Sequence, residues 1–274
     1  MRAICSVCFR HCALEEGQIG FCRARKNVSG RVVCDNYGKL TALTLDPIEK
    51  KPLRRFYPGC YILSAGSYGC NLRCPFCQNN DISMAGAEAD TVIVPPEQLA
   101  ARAHALLSSG NIGIAFTYNE PLVGYEYVRD CAELIHAQKM KTVLVTNGTI
   151  CEEPLRELLP YIDAMNIDLK GFSQGYYDFV GGNLEMVKNT IALSAKACHV
   201  EVTTLIVPGM NDGEDEIEAL SIWLASVDKE IPLHISRFFP RYLLLDRNPT
   251  STETIYQLRD IAAKHLRYVY TGNC

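Results

Sequence analysis

No segment of this 274-residue chain approaches the roughly 18 consecutive apolar residues that cross a bilayer. Nor do the first twelve residues, "MRAICSVCFRHC", contain an apolar run of the signal-peptide kind. These absences lead to the expectation of a cytoplasmic protein with no membrane partner. Excess positive charge is missing as well: 27 Lys and Arg face 31 Asp and Glu, a net charge of −4. Nucleic-acid phosphates are met by clustered Lys and Arg, so nothing in the charge balance points to nucleic acid. The most basic stretch, "EKKPLRRF" at 49–56, is short and broken by Pro52, and reads as a solvated loop. Internal repeats and low-complexity tracts are absent, and tryptophan is reduced to Trp223. With Ile217, Leu220 and Leu224, that residue reads as the core face of an amphipathic helix.

What the chain has in excess is cysteine: thirteen, nine of them in the first 77 residues. In a reducing compartment, clustered thiols read as metal ligands or catalytic groups rather than disulfides. Cys131, Cys151 and Cys198 lie apart from the clusters, in apolar or helix-flanking context, and read as small core residues.

Residues 1–60 lack long periodic segments and are rich in Gly, Cys and charge, as expected of a small cysteine-rich extension. From 61 to 274 the pattern alternates. Strand-like runs at 61–66, 111–117, 142–146, 163–169, 199–207, 232–238 and 267–271 are separated by helical stretches, several of 10 to 17 residues. Such alternation predicts βαβ units and a parallel sheet, hence an α/β fold. A partial (β/α)6 TIM-like barrel is the expected form, with an open doubly wound sheet as the alternative. In either, reactive residues belong in the loops after the C-terminal strand ends.

The first such loop, "SYGCNLRCPFCQNN", carries Cys70, Cys74 and Cys77 as C-x3-C-x2-C. Three thiolates hold three irons of a [4Fe–4S] cube and leave the fourth free to chelate a ligand, whereas closed electron-transfer clusters use four cysteines. A zinc site with its fourth ligand elsewhere is the alternative. Phe76 covers the cluster, stacks on an adenine, or is a core residue.

The Cys70-x3-Cys74-x2-Cys77 loop resembles the signature of radical S-adenosylmethionine enzymes. The resemblance implies a [4Fe–4S] cluster whose open iron chelates S-adenosylmethionine. Reductive cleavage then gives methionine and a 5′-deoxyadenosyl radical that abstracts hydrogen from a substrate. By the same resemblance Thr117, Asn119 and Glu120 in "TYNEP" supply acceptors for the methionyl amino group. Those enzymes usually carry Gly-Gly-Glu-Pro there, where this chain has Tyr118 and Asn119 before Glu120. For Glu120, a helix N-terminal charge is the structural alternative.

"VLVTNG" and "NIDLKG" resemble segments of the pyruvate formate-lyase activating enzymes. This implies that Thr146 and Asn147 line the cofactor pocket and that Asp168 and Lys170 meet the cofactor carboxylate or ribose. Asp168 and Lys170 are two apart on a strand and so share a face, as a buried acid–base pair without catalytic duty also would. Val207 and Pro208 are implied as the adenine wall. His234 is implied near the ribose, with a satisfied core histidine as the alternative; Arg237 serves a substrate anion or a surface salt bridge.

Cys5, Cys8, Cys12 and Cys22 form C-x2-C-x3-C-x9-C, a possible auxiliary site for zinc or a second iron–sulfur cluster, with His11 an available substitute ligand. That leader, "DPIEKKPLRRFYPG" and "SRFFPRY" resemble the radical enzymes of the AmmeMemoRadiSam group. The implied partners are a flavodoxin- or ferredoxin-like electron donor and a substrate, either a protein taking a glycyl radical or a small molecule or non-glycyl protein. A non-catalytic zinc or iron–sulfur protein is the remaining alternative.

Overall fold

The computed structural model describes residues 1–274. The leader is built from short antiparallel pairs. β1 (Ala3–Ile4) pairs with β2 (Ala13–Leu14), and β3 (Arg25–Val28) with β4 (Arg31–Cys34). β5 (Lys39–Leu40) later meets β8 (Val92–Ile93).

The main sheet starts earlier than the sequence pattern indicates. β6 (Ala42–Pro47) pairs antiparallel with β7 (Tyr61–Gly66) along its full length, so the barrel sheet takes its edge strand from within residues 1–60. After β7 come α1 (Asn80–Ser83), α2 (Pro96–Ala105), β9 (Asn111–Phe116), α3 (Tyr125–Ala137), β10 (Lys141–Thr146), α4 (Glu152–Leu158) and β11 (Ala164–Asp168). The chain continues through α5 (Gln174–Val180), α6 (Leu184–Ser194), β12 (His199–Ile206), α7 (Glu214–Asp228), β13 (Leu233–Arg237), α8 (Thr252–Ala262) and β14 (Val269–Gly272). Strand order is β14-β13-β12-β11-β10-β9-β7-β6, parallel throughout except at β6. β6 and β14 do not pair, so the sheet is an open, partial barrel of seven parallel strands plus one antiparallel edge. No helix is long and apolar enough to cross a membrane.

Local chemistry sets the helix starts. Ser173, Asn183 and Ser251 accept hydrogen bonds from the backbone N–H groups of Tyr176, Met186 and Thr254, satisfying donors that an unstarted helix leaves free. Pro96 opens α2, where a missing N–H costs nothing. Strand alternation then separates two cores. Leu63 and Ala65 of β7 face the helices, with Phe116, Leu144, Ile167 and Val202 in the same core. Ile62 faces the barrel interior and packs with Ala115, Val143 and Ala164 against Ile48, Leu53 and Phe56.

That second core corrects the reading of "EKKPLRRF". The segment is not a solvated loop but a plug across the barrel floor, the N-terminal end of the strands. Lys51 is 2% exposed and its Nζ lies 2.8 Å from Asp46, which also accepts from Tyr118 Oη at 2.7 Å. The backbone N–H groups of Arg54 and Arg55 donate to the buried carboxylate of Glu201 at 3.0 and 2.8 Å. Glu201 also meets His199 at 2.9 Å and His234 at 2.6 Å.

Burial alone would raise the Glu201 pKa, but these four partners outweigh it and hold it at about 2, below the ordinary 4.5. A depressed carboxylate contributes stability above its unfolded-state pKa and loses it as pH falls through the folded one. Urea melts should therefore show stability falling as pH drops from about 4.5 toward 2, and Glu201→Gln should flatten that part of the profile.

Candidate active site

Between Gly66 and α1 the chain has no strand or helix, and this irregular loop carries Cys70, Cys74 and Cys77. Its path is set by side chains from neighbouring loops. Asn119 Oδ1 accepts from Ser67 N at 3.0 Å, and its Nδ2 donates to the carbonyls of Tyr68 and Gly69, both at 3.1 Å. Asn79 Nδ2 donates to Tyr118 O at 2.7 Å. Gly69 has φ +90°, and a Cβ there would lie 2.5 Å from the Cys22 carbonyl oxygen. Only glycine suits that conformation and that approach. A backbone bond from Cys77 N to Cys74 O at 3.1 Å turns the last two cysteines together, and Leu243 N seats the segment after β13 on Pro75 O at 2.8 Å.

Glu120, in the loop after β9, is 3% exposed. Its Oε1 accepts from Thr146 Oγ1 at 2.6 Å and Leu122 N at 3.0 Å, and its Oε2 from Asn147 N at 2.7 Å. The carboxylate thus locks the loops after β9 and β10 to one another and caps the 3-10 turn Pro121–Gly124, as the helix-terminus alternative anticipates. Burial pushes its pKa up to about 7 against those donors. Asn147 completes the connection: its Nδ2 reaches Cys70 Sγ at 3.7 Å and Asn71 Oδ1 at 2.9 Å. Asn71 donates in turn to Thr149 O at 2.8 Å.

On β11 and its loop, Lys170 Nζ lies 2.7 Å from Asp168 Oδ2, and both side chains keep some exposure, 16% and 30%. Burial disfavours the Lys170 ammonium, but Asp168 and the neighbouring Cys74 outweigh it and hold its pKa above the ordinary value. Tyr177 Oη accepts from Lys170 N at 3.2 Å. Asn211 donates to Lys170 O at 2.8 Å and accepts from Val207 N at 2.7 Å, tying the loops after β11 and β12.

The cysteines suit a charged cluster. Burial raises the thiol pKa of Cys70, and that of Cys74 to about 11, with Lys170 opposing the rise at Cys74. Bound iron would supply the positive charge that turns such thiols into thiolates, and Leu72 N already donates to Cys70 Sγ at 3.3 Å. No three Cys, His, Asp or Glu side chains converge on a single-ion position. Three free thiols in one loop are the donor set of a [4Fe–4S] cluster with one iron left without a protein ligand.

The structure therefore gathers Cys70, Cys74, Cys77, Thr117, Asn119, Glu120, Thr146, Asn147, Asp168, Lys170 and Val207 at the C-terminal strand ends. Phe76 is 5% exposed among Tyr176, Phe179 and Phe238, with ring centroids 6.3 to 6.5 Å away, which is its core alternative. His234, the second residue of β13, stands in register with Thr203 and, one strand further, with Asp168, and its Nε2 lies 2.6 Å from Glu201. Arg237 bonds to Thr250 O. Sequence reading missed Asn71, Asn211 and Tyr177. Of these only Asn71 carried a signal, standing inside the cysteine motif itself.

Removing the Glu120 carboxylate strands three buried donors. At about 1–3 kcal/mol for each unsatisfied group, Glu120→Ala should lower stability by roughly 3 kcal/mol or more in urea unfolding, with Glu120→Gln costing less.

Residues 65–221 match the sequence profile of the Radical SAM superfamily. The chain is 40% identical over 279 residues to an uncharacterized protein of Methanocaldococcus jannaschii, MJ0808, covering 98% of this chain and 80% of that protein. It is 27% identical over 157 residues to the pyruvate formate-lyase 1-activating enzyme of Escherichia coli K12, covering 56% of this chain and 63% of that enzyme. Among solved structures, a domain of pyruvate-formate lyase-activating enzyme from Bacteroides vulgatus superposes with a TM-score of 0.52 at 20% identity, over 58% of this chain and 98% of that one. SuiB of Streptococcus suis bound to S-adenosylmethionine gives 0.60 at 14% identity, over 78% and 52%. At those identities the two structures speak to the fold alone.

Proposed function

The chain belongs to the radical SAM superfamily, and from that premise we propose that it generates a 5′-deoxyadenosyl radical to abstract hydrogen from a protein substrate, in the manner of a glycyl-radical activating enzyme. The observation that carries the reading is the irregular rim loop, which presents three cysteines and no fourth. Cys70, Cys74 and Cys77 would hold a [4Fe–4S] cluster, which when bound would supply the electron for reductive cleavage of S-adenosylmethionine.

The chain's own residues do the positioning. Glu120 and Asn119 hold the loops around Cys70 in register. Asp168 and Lys170, paired and partly exposed at the rim, offer an acceptor and a cation to the polar groups of the cofactor. Val207 supplies an apolar wall fixed by Asn211. One observation favours a protein substrate: the likeness to the E. coli activating enzyme.

Anaerobic reconstitution with iron and sulfide should give a reduced [4Fe–4S]⁺ EPR signal that S-adenosylmethionine perturbs; a signal indifferent to the cofactor would refute the reading. Cys74→Ala should abolish release of 5′-deoxyadenosine, whereas Cys131→Ala, in the core of α3, should leave it largely intact. Deuterium passing from a glycine-labelled partner protein into 5′-deoxyadenosine would support the glycyl substrate. Transfer only from a small molecule or a non-glycyl position would overturn it.

A further inference from the structure

The cysteine loop also borders a basic cleft. This cleft, of about 530 Å³, lies between the leader, the cysteine loop and the turn at 86–88, and Ile19, Phe21, Arg23, Arg73 and Glu88 are in its lining. Arg73 stands between Cys70 and Cys74 in the motif, and its guanidinium donates to Cys70 O at 2.9 Å, to Leu72 O at 2.7 Å and to Phe21 O. Arg23 donates to Met84 O. Arg10 donates to Asn71 O at 2.8 Å and to Gly181 O at 2.6 Å. Arg10 and Arg73 both stack on the Phe21 ring, their guanidinium carbons 3.4 and 3.9 Å from its centroid. Gly20 is shared with the separate small void that Cys5, Cys8, Cys12 and Cys22 line.

The carbonyls orient these three cations but do not neutralise them, and none of the three makes an ion pair with a carboxylate. The one acid lining the cleft, Glu88, accepts from Gly86 N at 2.8 Å. Burial, and after it the charge of Arg23, lower the Arg73 pKa, with Cys70 opposing and Arg10 adding to the effect. Like charges thus crowd one corner of a chain whose net charge is −4, and an anionic partner relieves that crowding. Beside them Ile19 and Phe21 keep 47% and 37% of their surface exposed. Arginine around an exposed aromatic is the composition of the energetic centres of protein interfaces, whereas a small anion makes no use of the two apolar side chains.

We propose that this cleft is the docking surface of an acidic one-electron carrier protein of the flavodoxin or ferredoxin class. Carboxylates of the carrier pair with Arg23 and Arg73, and its apolar surface covers Ile19 and Phe21. The carrier is oxidised by one electron, and the cluster that Cys70, Cys74 and Cys77 would hold is reduced from the 2+ to the 1+ state. The need for that electron rests on the radical SAM reading; the surface rests on charge and exposure.

Calorimetric titration of full-length, anaerobically reconstituted protein with flavodoxin and with ferredoxin tests the surface without reference to turnover. At least one carrier should bind, and its Kd should rise about tenfold in Arg23→Glu. It should rise again as salt goes from about 50 to 300 mM. Arg267→Glu, the same charge change just before β14, should leave Kd within about twofold. Glu88→Gln, which removes the cleft's acid, should tighten binding about two- to threefold, and it decides the matter if Arg23→Glu does not fold. Binding of neither carrier, or an affinity that ignores these cleft substitutions, would overturn the surface, as would inorganic phosphate binding at the arginines with no carrier bound. Release of 5′-deoxyadenosine gives a second readout: Arg23→Glu should slow it with the reduced carrier and leave the dithionite-driven rate unchanged. Charge-sensitive binding with no 5′-deoxyadenosine from either reductant would count against the radical reading alone.

Discussion

The rim loop cannot hold its own shape, and the site depends on the side-chain amides that hold it. A segment with neither strand nor helix leaves its backbone N–H and C=O groups without built-in partners. Asn119 takes three of them, and Asn79 fastens the loop's far end to Tyr118. Asn147 and Asn71 join the first cysteine to the loop after β10. Glu120 sits beneath this arrangement, its two oxygens shared among three donors from two loops. These bonds fix where the carboxylate stands. Its contribution is position, and position decides whether three thiols meet a cubane or merely lie near one another.

The alternation of strands and helices made most of the barrel legible, because apolar period and turn residues are local signals. The cysteine spacing and its place after the first parallel strand were legible for the same reason. The plug was not. Ile48, Leu53 and Phe56 follow no helical or strand period, and their charged neighbours mimic a solvated loop. Their burial is decided by Ile62, Ala115, Val143 and Ala164, which arrive from four later strands. Lys51 reads as surface until Asp46 is seen beside it.

His234 stands level with Thr203 and Asp168, and its bond to Glu201 on the neighbouring strand is a long-range contact that a strand pattern does not encode. The buried asparagines escaped notice because an amide that braces a loop differs from an exposed one solely in its long-range partners. Asn211 bridges Lys170 and Val207 across two loops, a relation that no local pattern encodes.

The floor plug also fastens the sheet. Leu53 and Phe56 pack with Ile62, Ala115, Val143 and Ala164 of β7, β9, β10 and β11, and the backbone of Arg54 and Arg55 binds Glu201 of β12, so one short segment spans five strands that the ladder links only in pairs.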